Sequence, residues 1–431
     1  MKQQRQAVVI VGADSNGYYI APTLQGRGYQ CVHDDVGNLS RTKPGTSTCF
    51  KTEFRIPSDD DWAIADLVIN LNRYSVKAVL AVGDTGVVAA NKIAQYFNVP
   101  RNPAGSWRIH RHKYHMIEAL RHEGVPCSEQ FVSNRIDKIV SWYRSSEFAR
   151  VVMKPSLGGY SDGVGVCGNE KEIVGIFEKN INKINCTGQT NDEYVIQEFL
   201  EGQHYVVNTV SVEGRHFVTD VWHEVNHDED TFLIDEYADS VSRASPEFAT
   251  VSNYIEKVLD ALQIRNGPAH SEVMLTPRGP RLIETHARLA GGIDFAVVEE
   301  CNGYSQVSVL ADSVIAPQLF ASRTALYSAA PSRFARFVYM SADVTGSIKS
   351  DIDVDGFFEI PSLMSIKLTI QAGGKLERTK HSLGHPGYAM FLAESREELC
   401  RDYFRFREFE RRFFADLIEE PVREESTMSG R

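Results

Sequence analysis

The chain has 431 residues, 42% of them hydrophobic and 24% charged, the composition of an ordinary globular protein with length for about two to four domains. Its net charge of −11 argues against nucleic acid or an anionic membrane as a partner, since both reward a basic surface. The seven cysteines form no CxxC pair and read as thiols, no stretch approaches the ~18 to 20 apolar residues of a membrane helix, and the apolar run before Gly12 lacks a cleavage pattern, so a cytoplasmic setting is expected.

Strand and helix signals alternate at the start of the chain. Ala7 to Val11 reads as a buried strand ending at Gly12, Ile20 to Arg27 as a helix, Lys77 to Val82 as a strand ending at Gly83, and Val87 to Tyr96 as a helix. Short apolar strands that break at glycine and feed helices predict a Rossmann-like parallel sheet with its ligand edge at the strand ends. GADSNG lacks the GxGxxG spacing of a dinucleotide site and has no GK[ST] of a P-loop. VPRNPAGS reads as a turn-rich connection, followed by one helix over Trp107 to Glu123. From Val151 to about Ile196 paired strands with glycine turns predict a small α+β unit, and a larger α+β region runs to about Arg333. Strands over Phe337 to Ser341, Ser365 to Gln371 and Gly387 to Leu392, with a charged helix from about Ser395 to Ile418, complete the chain before a polar tail expected to be disordered.

Three segments carry chemistry. VVMKPSLGGYSDGVGV puts Lys154 at a strand end and follows it with Gly158, Gly159 and Gly163, so backbone N–H groups and a point charge can meet a polyphosphate. By itself this is also the pattern of a glycine-rich hairpin. In the strand Tyr194 to Gln197 and the EFLEGQH after it, Phe199 and Leu200 could wall a nucleotide base and His204 could reach a ribose.

The third segment, HSEVMLTPRGPRLIETHARLAGG, has two strand-like runs joined at Pro277, Arg278 and Gly279. With Thr276 opposite Pro280 in the register, Glu272 faces Glu284 and His270 faces His286. Two carboxylates about 5 Å apart repel unless a cation sits between them, which points to magnesium. Arg288 and the glycines after it, Gly291 and Gly292, suit an anionic group and a closely approaching substrate.

The order of these features resembles the ATP-grasp superfamily and, among its members, the L-amino acid ligases. The resemblance spans essentially the whole chain and includes the C-terminal GHPGYAMFLAESREEL. It implies an α/β and α+β chain with the ATP-grasp fold, divided into an N-terminal Rossmann-like domain over 1–106 and a helical connection over 107–150. A lid subdomain over 151–202, a central domain with the metal site over 203–333, a C-terminal unit over 334–418 and a tail over 419–431 follow.

By position, Lys113 in HRHKYHMIEALRHEGVP and Lys154 match the two ATP lysines, and the loop with Ser156, Gly158, Gly159 and Ser161 matches the closing lid. Gln197 and Leu200, with Glu198 and Phe199 between them, match the adenine contacts, and His204 the ribose contact. Glu272 and Glu284 match the magnesium ligands, and Arg288, with Lys154, the catalytic charges around an acyl phosphate. The family pattern glutamate, any residue, asparagine is here Glu284, Thr285, His286. Imidazole is a poorer magnesium ligand than an amide oxygen, which leaves open whether His286 ligates metal and whether manganese serves better.

The implied activity joins an amino acid or related acid to an amine with ATP and Mg2+, in a homodimer. A biotin-carboxylase-like or purine-pathway enzyme and an inactive nucleotide-binding regulator are the alternatives. Trp222 and His223 are candidates for the amino-acid pocket, and Asp228, Glu229 and Asp230 for a solvated loop. His110, His112 and His115 suggest zinc only superficially, because Arg111 and Lys113 interrupt them with like charge.

Overall fold

The computed structural model describes residues 5–13, 17–36, 50, 52–159, 161–229, 232–327, 333–349, 351–380 and 384–421. It divides into two compact units, Met1–Glu224 with Ser240–Pro331, and Val225–Asp239 with Ser332–Arg431. No helix among the described residues is long and apolar enough to cross a membrane.

The first unit opens with a parallel sheet. Strands β1 (Gln6–Val11), β2 (Gln30–Val36), β3 (Thr52–Ile56) and β4 (Ser75–Ala81) lie in the order β3-β2-β1-β4, all pairs parallel. The run Ala7 to Val11 is buried throughout, as a central strand covered on both faces requires. Helices α1 (Ile20–Gly26) and α2 (Asp61–Leu71) connect strands of this sheet, and α3 (Val87–Phe97) follows β4. Leu67, Leu71, Ala90 and Ile93 of α2 and α3 pack on Val9 and Val32. After β4 the chain passes Gly83 into a single 3-10 turn that begins at Asp84, at the carboxyl edge where such sheets bind ligands.

The helix predicted over Trp107 to Glu123 is two helices, α4 (Trp107–Arg111) and α5 (Lys113–His122). His112 breaks them, with extended backbone (φ −93, ψ 109) and a side chain that caps α5 by accepting the His115 N–H at 3.5 Å. The Lys113 N–H is thereby released to the Ser156 carbonyl at 2.9 Å.

A small antiparallel sheet follows, β5 (Gln130–Ser133), β6 (Val151–Pro155), β7 (Gly165–Cys167) and β8 (Tyr194–Glu198) in the order β5-β8-β6-β7. Helices α6 (Ile136–Ser145) and α7 (Glu170–Asn180) cover it, and Ile139, Ile173 and Phe177 fill its core with Met153 and Tyr194. The central sheet of this unit takes β9 (Gln203–Val212), β10 (Arg215–Glu229), β12 (Gly267–Thr276) and β13 (Gly279–His286) in the order β13-β12-β9-β10, with β11 (Phe232–Ser240) between β10 and β12 in the chain. Its odd-numbered face, with Tyr205, Val207, Val221, Ala269 and Val273, packs on α8 (Pro246–Ala261) through Val251, Ile255, Val258 and Leu259. These helix residues recur at three- and four-residue spacing and so form one apolar stripe. Ser245 caps α8 and Pro246 starts it. Helices α9 (Phe295–Asn302), α10 (Gln306–Ile315) and α11 (Phe320–Leu326) complete the unit. Asp228 and Glu229, expected in a loop, continue β10; residue 230 lies outside the described residues.

In the second unit, β11 joins β14 (Phe334–Tyr339), β16 (Leu363–Leu368) and β18 (Gly387–Ala393) in the order β11-β14-β18-β16. The long helix α12 (Arg396–Leu417), capped by Ser395, packs Leu399, Phe406 and Phe414 onto Val338 and Phe391. A second sheet, β17-β15-β19, pairs β15 (Gly346–Ile348) with β17 (Lys375–Leu376) and β19 (Ile418–Pro421). The expected tail is therefore a strand through Pro421, and residues 422–431 lie outside the described residues.

Glu410 is buried in this unit. It accepts the Ser341 N–H at 3.1 Å and Arg407 Nη1–H at 2.8 Å, yet burial outweighs both and pushes its carboxyl up to about 7. A carboxyl raised in the folded state holds its proton longer than in the unfolded chain, so its contribution to stability is full below 4.5 and is lost as pH rises to about 7. The unfolding free energy of the wild type should fall relative to that of Glu410→Gln by roughly 3 kcal/mol across this window, as measured by denaturant titration at several pH values.

Candidate active site

The hairpin of β12 and β13 decides where the carboxylates go. Near the turn the register is one residue shorter than predicted, with Thr276 opposite Gly279 and Leu275 opposite Pro280. Continued unbroken, that pairing would put Ile283 across from Glu272 and turn Glu284 to the other face. A bulge at Ile283 restores the phase, so that Glu272 faces Glu284 and His270 faces His286. The expectation about the turn was wrong, and the bulge is the reason the glutamates still share a face.

Alternation extends this face over the neighbouring strands. His204 and Asn208 of β9 and Asp220, Trp222 and Glu224 of β10 lie on it with the two glutamates. His223 lies one residue out of phase, its ring stacked obliquely on Tyr205 at 5.1 Å on the core side.

Cations surround the glutamates. Lys113 Nζ is 2.9 Å from Glu284 Oε2 and donates to the Gly158 carbonyl at 3.2 Å. His286 Nε2 is 2.9 Å from Glu284 Oε1, and its Nδ1 is 2.7 Å from Asp84 Oδ1. His204 Nε2 is 3.5 Å from Glu272 Oε2. Burial alone would raise both glutamates. Lys113 and His286 hold Glu284 well below the usual range instead, and the His204 hydrogen bond lowers Glu272 against the repulsion of Glu284. Lys154 is buried at the end of β6. Burial brings its ammonium down to about 8 while Glu284 opposes that fall.

Asp84 is the functional residue that the sequence reading missed. Its carboxylate accepts from Arg111 at 2.8 Å, from His286 at 2.7 Å and from Arg288 Nε at 3.0 Å. Burial would raise it, but Arg288 and His286, then Arg111, hold it well below the ordinary carboxylate range. The available signal was its place directly after the strand-ending Gly83. Because both ring nitrogens of His286 meet ionised carboxylates, which only accept, His286 is a doubly donating imidazolium. Burial opposes its charge, and Asp84 and Glu284 raise its pKa. Both ring nitrogens are thus engaged by carboxylates in this structure. Farther along the face, Asp220 accepts from Asn208, Thr219 and Trp222, and Asn208 Oδ1 accepts from His270 Nδ1 at 2.9 Å.

The remaining candidates fall around this centre. Gln197 is buried and donates to Gln130 at 3.4 Å, Glu198 pairs with Arg278, the Arg150 guanidinium lies 4.1 Å from the Phe199 ring centroid, and Leu200 is buried. Ser156 is buried where the Lys113 N–H meets its carbonyl. Gly291 is exposed and Gly292 half-buried in the loop after Arg288. His110 bonds the Leu262 carbonyl at 2.7 Å while His112 turns to Glu193 at 2.7 Å, so the three histidines of that helix pair do not converge. Among the described residues no group of three or more His, Cys, Asp and Glu side chains could hold a metal by itself.

Residues 147–296 match the family described as the ATP-grasp domain. This chain carries an ATP-grasp domain. Its sequence is similar to dapdiamide A synthase of Enterobacter agglomerans, at 29% identity over 96% of this chain and 99% of that protein. The ATP-grasp fold is similar to that of the crystal structure of L-amino acid ligase from Bacillus licheniformis, with TM-score 0.76 and 18% identity over 94% of this chain and 98% of that one. It is also similar to carboxyaminoimidazole ribonucleotide synthase from Aspergillus clavatus complexed with ATP, with TM-score 0.68 and 14% identity over 95% and 99% of the two chains.

Asp84→Ala would leave Arg111, Arg288 and the His286 imidazolium without their common anion. Loss of one member of a buried charge cluster costs about 3–5 kcal/mol. A drop of that size in unfolding free energy is expected by denaturant titration, with Asp84→Asn between the two.

Proposed function

We propose that the chain is an ATP-dependent carboxylate–amine ligase that forms an amide or peptide bond through an acyl phosphate and releases ADP and phosphate. The observation that carries this reading is the sheet face on which Glu272 opposes Glu284, with Lys113 and His286 on Glu284 and the charge of Lys154 acting on it.

The donor set fits a hard divalent cation. Two half-buried carboxylate groups supply oxygens, and magnesium is commonly held by one or two carboxylates with phosphates and water completing its shell. Glu272 and Glu284 would hold magnesium, or manganese, whose chemistry here is to offset charge on the phosphates of ATP. His286 fixes Glu284 from the side through its Nε2 contact. In this reading the Gln197 to Leu200 edge meets the adenine and His204 the ribose, while Lys113 and Lys154 meet the phosphates. With its ammonium near 8, Lys154 remains largely charged at neutral pH, and bound phosphate would strengthen that charge.

An oxygen of the acid substrate attacks the γ-phosphorus of ATP and the bond to ADP breaks, giving the acyl phosphate. The amine then attacks the acyl carbon, the C–N bond forms, phosphate leaves, and the amine proton passes to solvent. Arg288, braced by Asp84, would offset the oxyanion. Trp222 and the Gly291–Gly292 loop border the acid and amine, whereas His223 on the opposite face is not part of the pocket. The resemblance also carries a cytoplasmic homodimer.

Glu284→Ala should reduce amino-acid-dependent ADP release by about 10²-fold or more, in a screen of amino-acid pairs with ATP and magnesium or manganese. Undiminished release would reject the metal assignment. Release that requires bicarbonate in place of two amino acids would assign the chain to carboxylating chemistry.

A further inference from the structure

The glycine loop after β6 is tied to a second segment that no role has yet absorbed. Asn185 is buried in the turn between α7 and β8, and its amide is saturated in two directions. Its Oδ1 accepts from the Thr187 N–H at 3.0 Å, the Thr187 hydroxyl at 2.7 Å and the Gln189 N–H at 3.1 Å, which closes the turn. Its Nδ2 donates outward, to the Leu157 carbonyl at 3.3 Å and to Asn191 Oδ1 at 3.0 Å.

Three more bonds run between the same segments. Asp162 Oδ2 accepts the Cys186 N–H at 2.6 Å, the Cys186 thiol lies 3.4 Å from the Gly159 carbonyl, and the Tyr194 hydroxyl donates to the Gly163 carbonyl at 3.1 Å. The glycines permit this docking. A Cβ at Gly158 (φ +132) would stand 3.2 Å from Asn185 Nδ2, and one at Gly163 (φ +73) 2.7 Å from the Tyr194 oxygen. The Gly158 carbonyl in turn receives Lys113 Nζ.

We infer that Asn185 is a positioning residue for the phosphate loop: by donating to the Leu157 carbonyl it holds the backbone of Leu157 to Gly159 in the shape that receives ATP phosphates. The inference rests on the ligase reading for the identity of the ligand, but the brace itself is independent of it. The two ends of the Asn185 amide separate the roles. Asn185→Asp keeps the acceptor that closes the turn and loses the donor to the loop, whereas Asn185→Ala loses both.

Direct ATP binding, the KM for ATP and chymotrypsin cleavage after Leu157 would be measured on wild type and both variants, with thermal unfolding as control. Asn185→Asp should weaken ATP binding and raise the KM about tenfold, with faster cleavage at Leu157 and an unfolding midpoint close to wild type. Asn185→Asp indistinguishable from wild type in affinity and cleavage, with only Asn185→Ala impaired, would reduce Asn185 to a turn former and overturn the inference. If the wild type itself binds no ATP, the ligase reading fails, and the cleavage comparison still decides whether Asn185 braces the loop.

Discussion

Two carboxylates brought face to face on a half-buried sheet surface repel each other, and the charges of this site are arranged around relieving that repulsion between Glu272 and Glu284. Both are only partly open to water, and an unpaired carboxylate in such a place is driven toward taking up a proton. Lys113 and His286 on Glu284 and His204 beside Glu272 counter this, each from a different element: the start of α5, the end of β13 and β9. The same cations are the groups that a polyphosphate and a divalent cation would rearrange. An active site of this kind is charged before ligand arrives, so binding exchanges partners without creating charge in a dry interior.

Asp84 extends the compensation across the first unit. It stands at the carboxyl edge of the parallel sheet, yet three of its partners come from elsewhere: Arg111 from α4, His286 from β13 and Arg288 from the loop beyond. A single carboxylate therefore registers the N-terminal sheet against the catalytic hairpin. His286 stands between Asp84 and Glu284 and orients the two acids on either side of it.

The phosphate side has a different construction, built from backbone. The loop after Lys154 uses glycines for close approach, and its carbonyls are tied down by side chains of the 185–194 segment and by Lys113. The carbonyls of this loop are thus satisfied from within the protein, which fixes its backbone shape.

Local chemistry was legible in the residues alone: the parallel sheet from apolar strands that stop at glycine, the lysine with its glycine loop, the helix from about Ser395, and the candidates Lys154, Glu272, Glu284 and Arg288, with Lys113 added by the resemblance. The break at His112 was not, because a residue that caps one helix by its ring also reads as an ordinary member of a longer one. Nor was the turn register, since a bulge adds one residue without any change in hydrophobic pattern, and the correct facing of Glu272 and Glu284 depended on it. Asp84, Asn208, Asp220 and Asn185 carry no motif; each is an ordinary polar residue until the chain folds a partner against it from far along the sequence. Sequence by itself determined which residue types could bind a nucleotide and a cation, because those follow from side-chain chemistry and short spacing. Tertiary structure alone decided which of them meet, and in which charge state, because pairing across strands and burial set both.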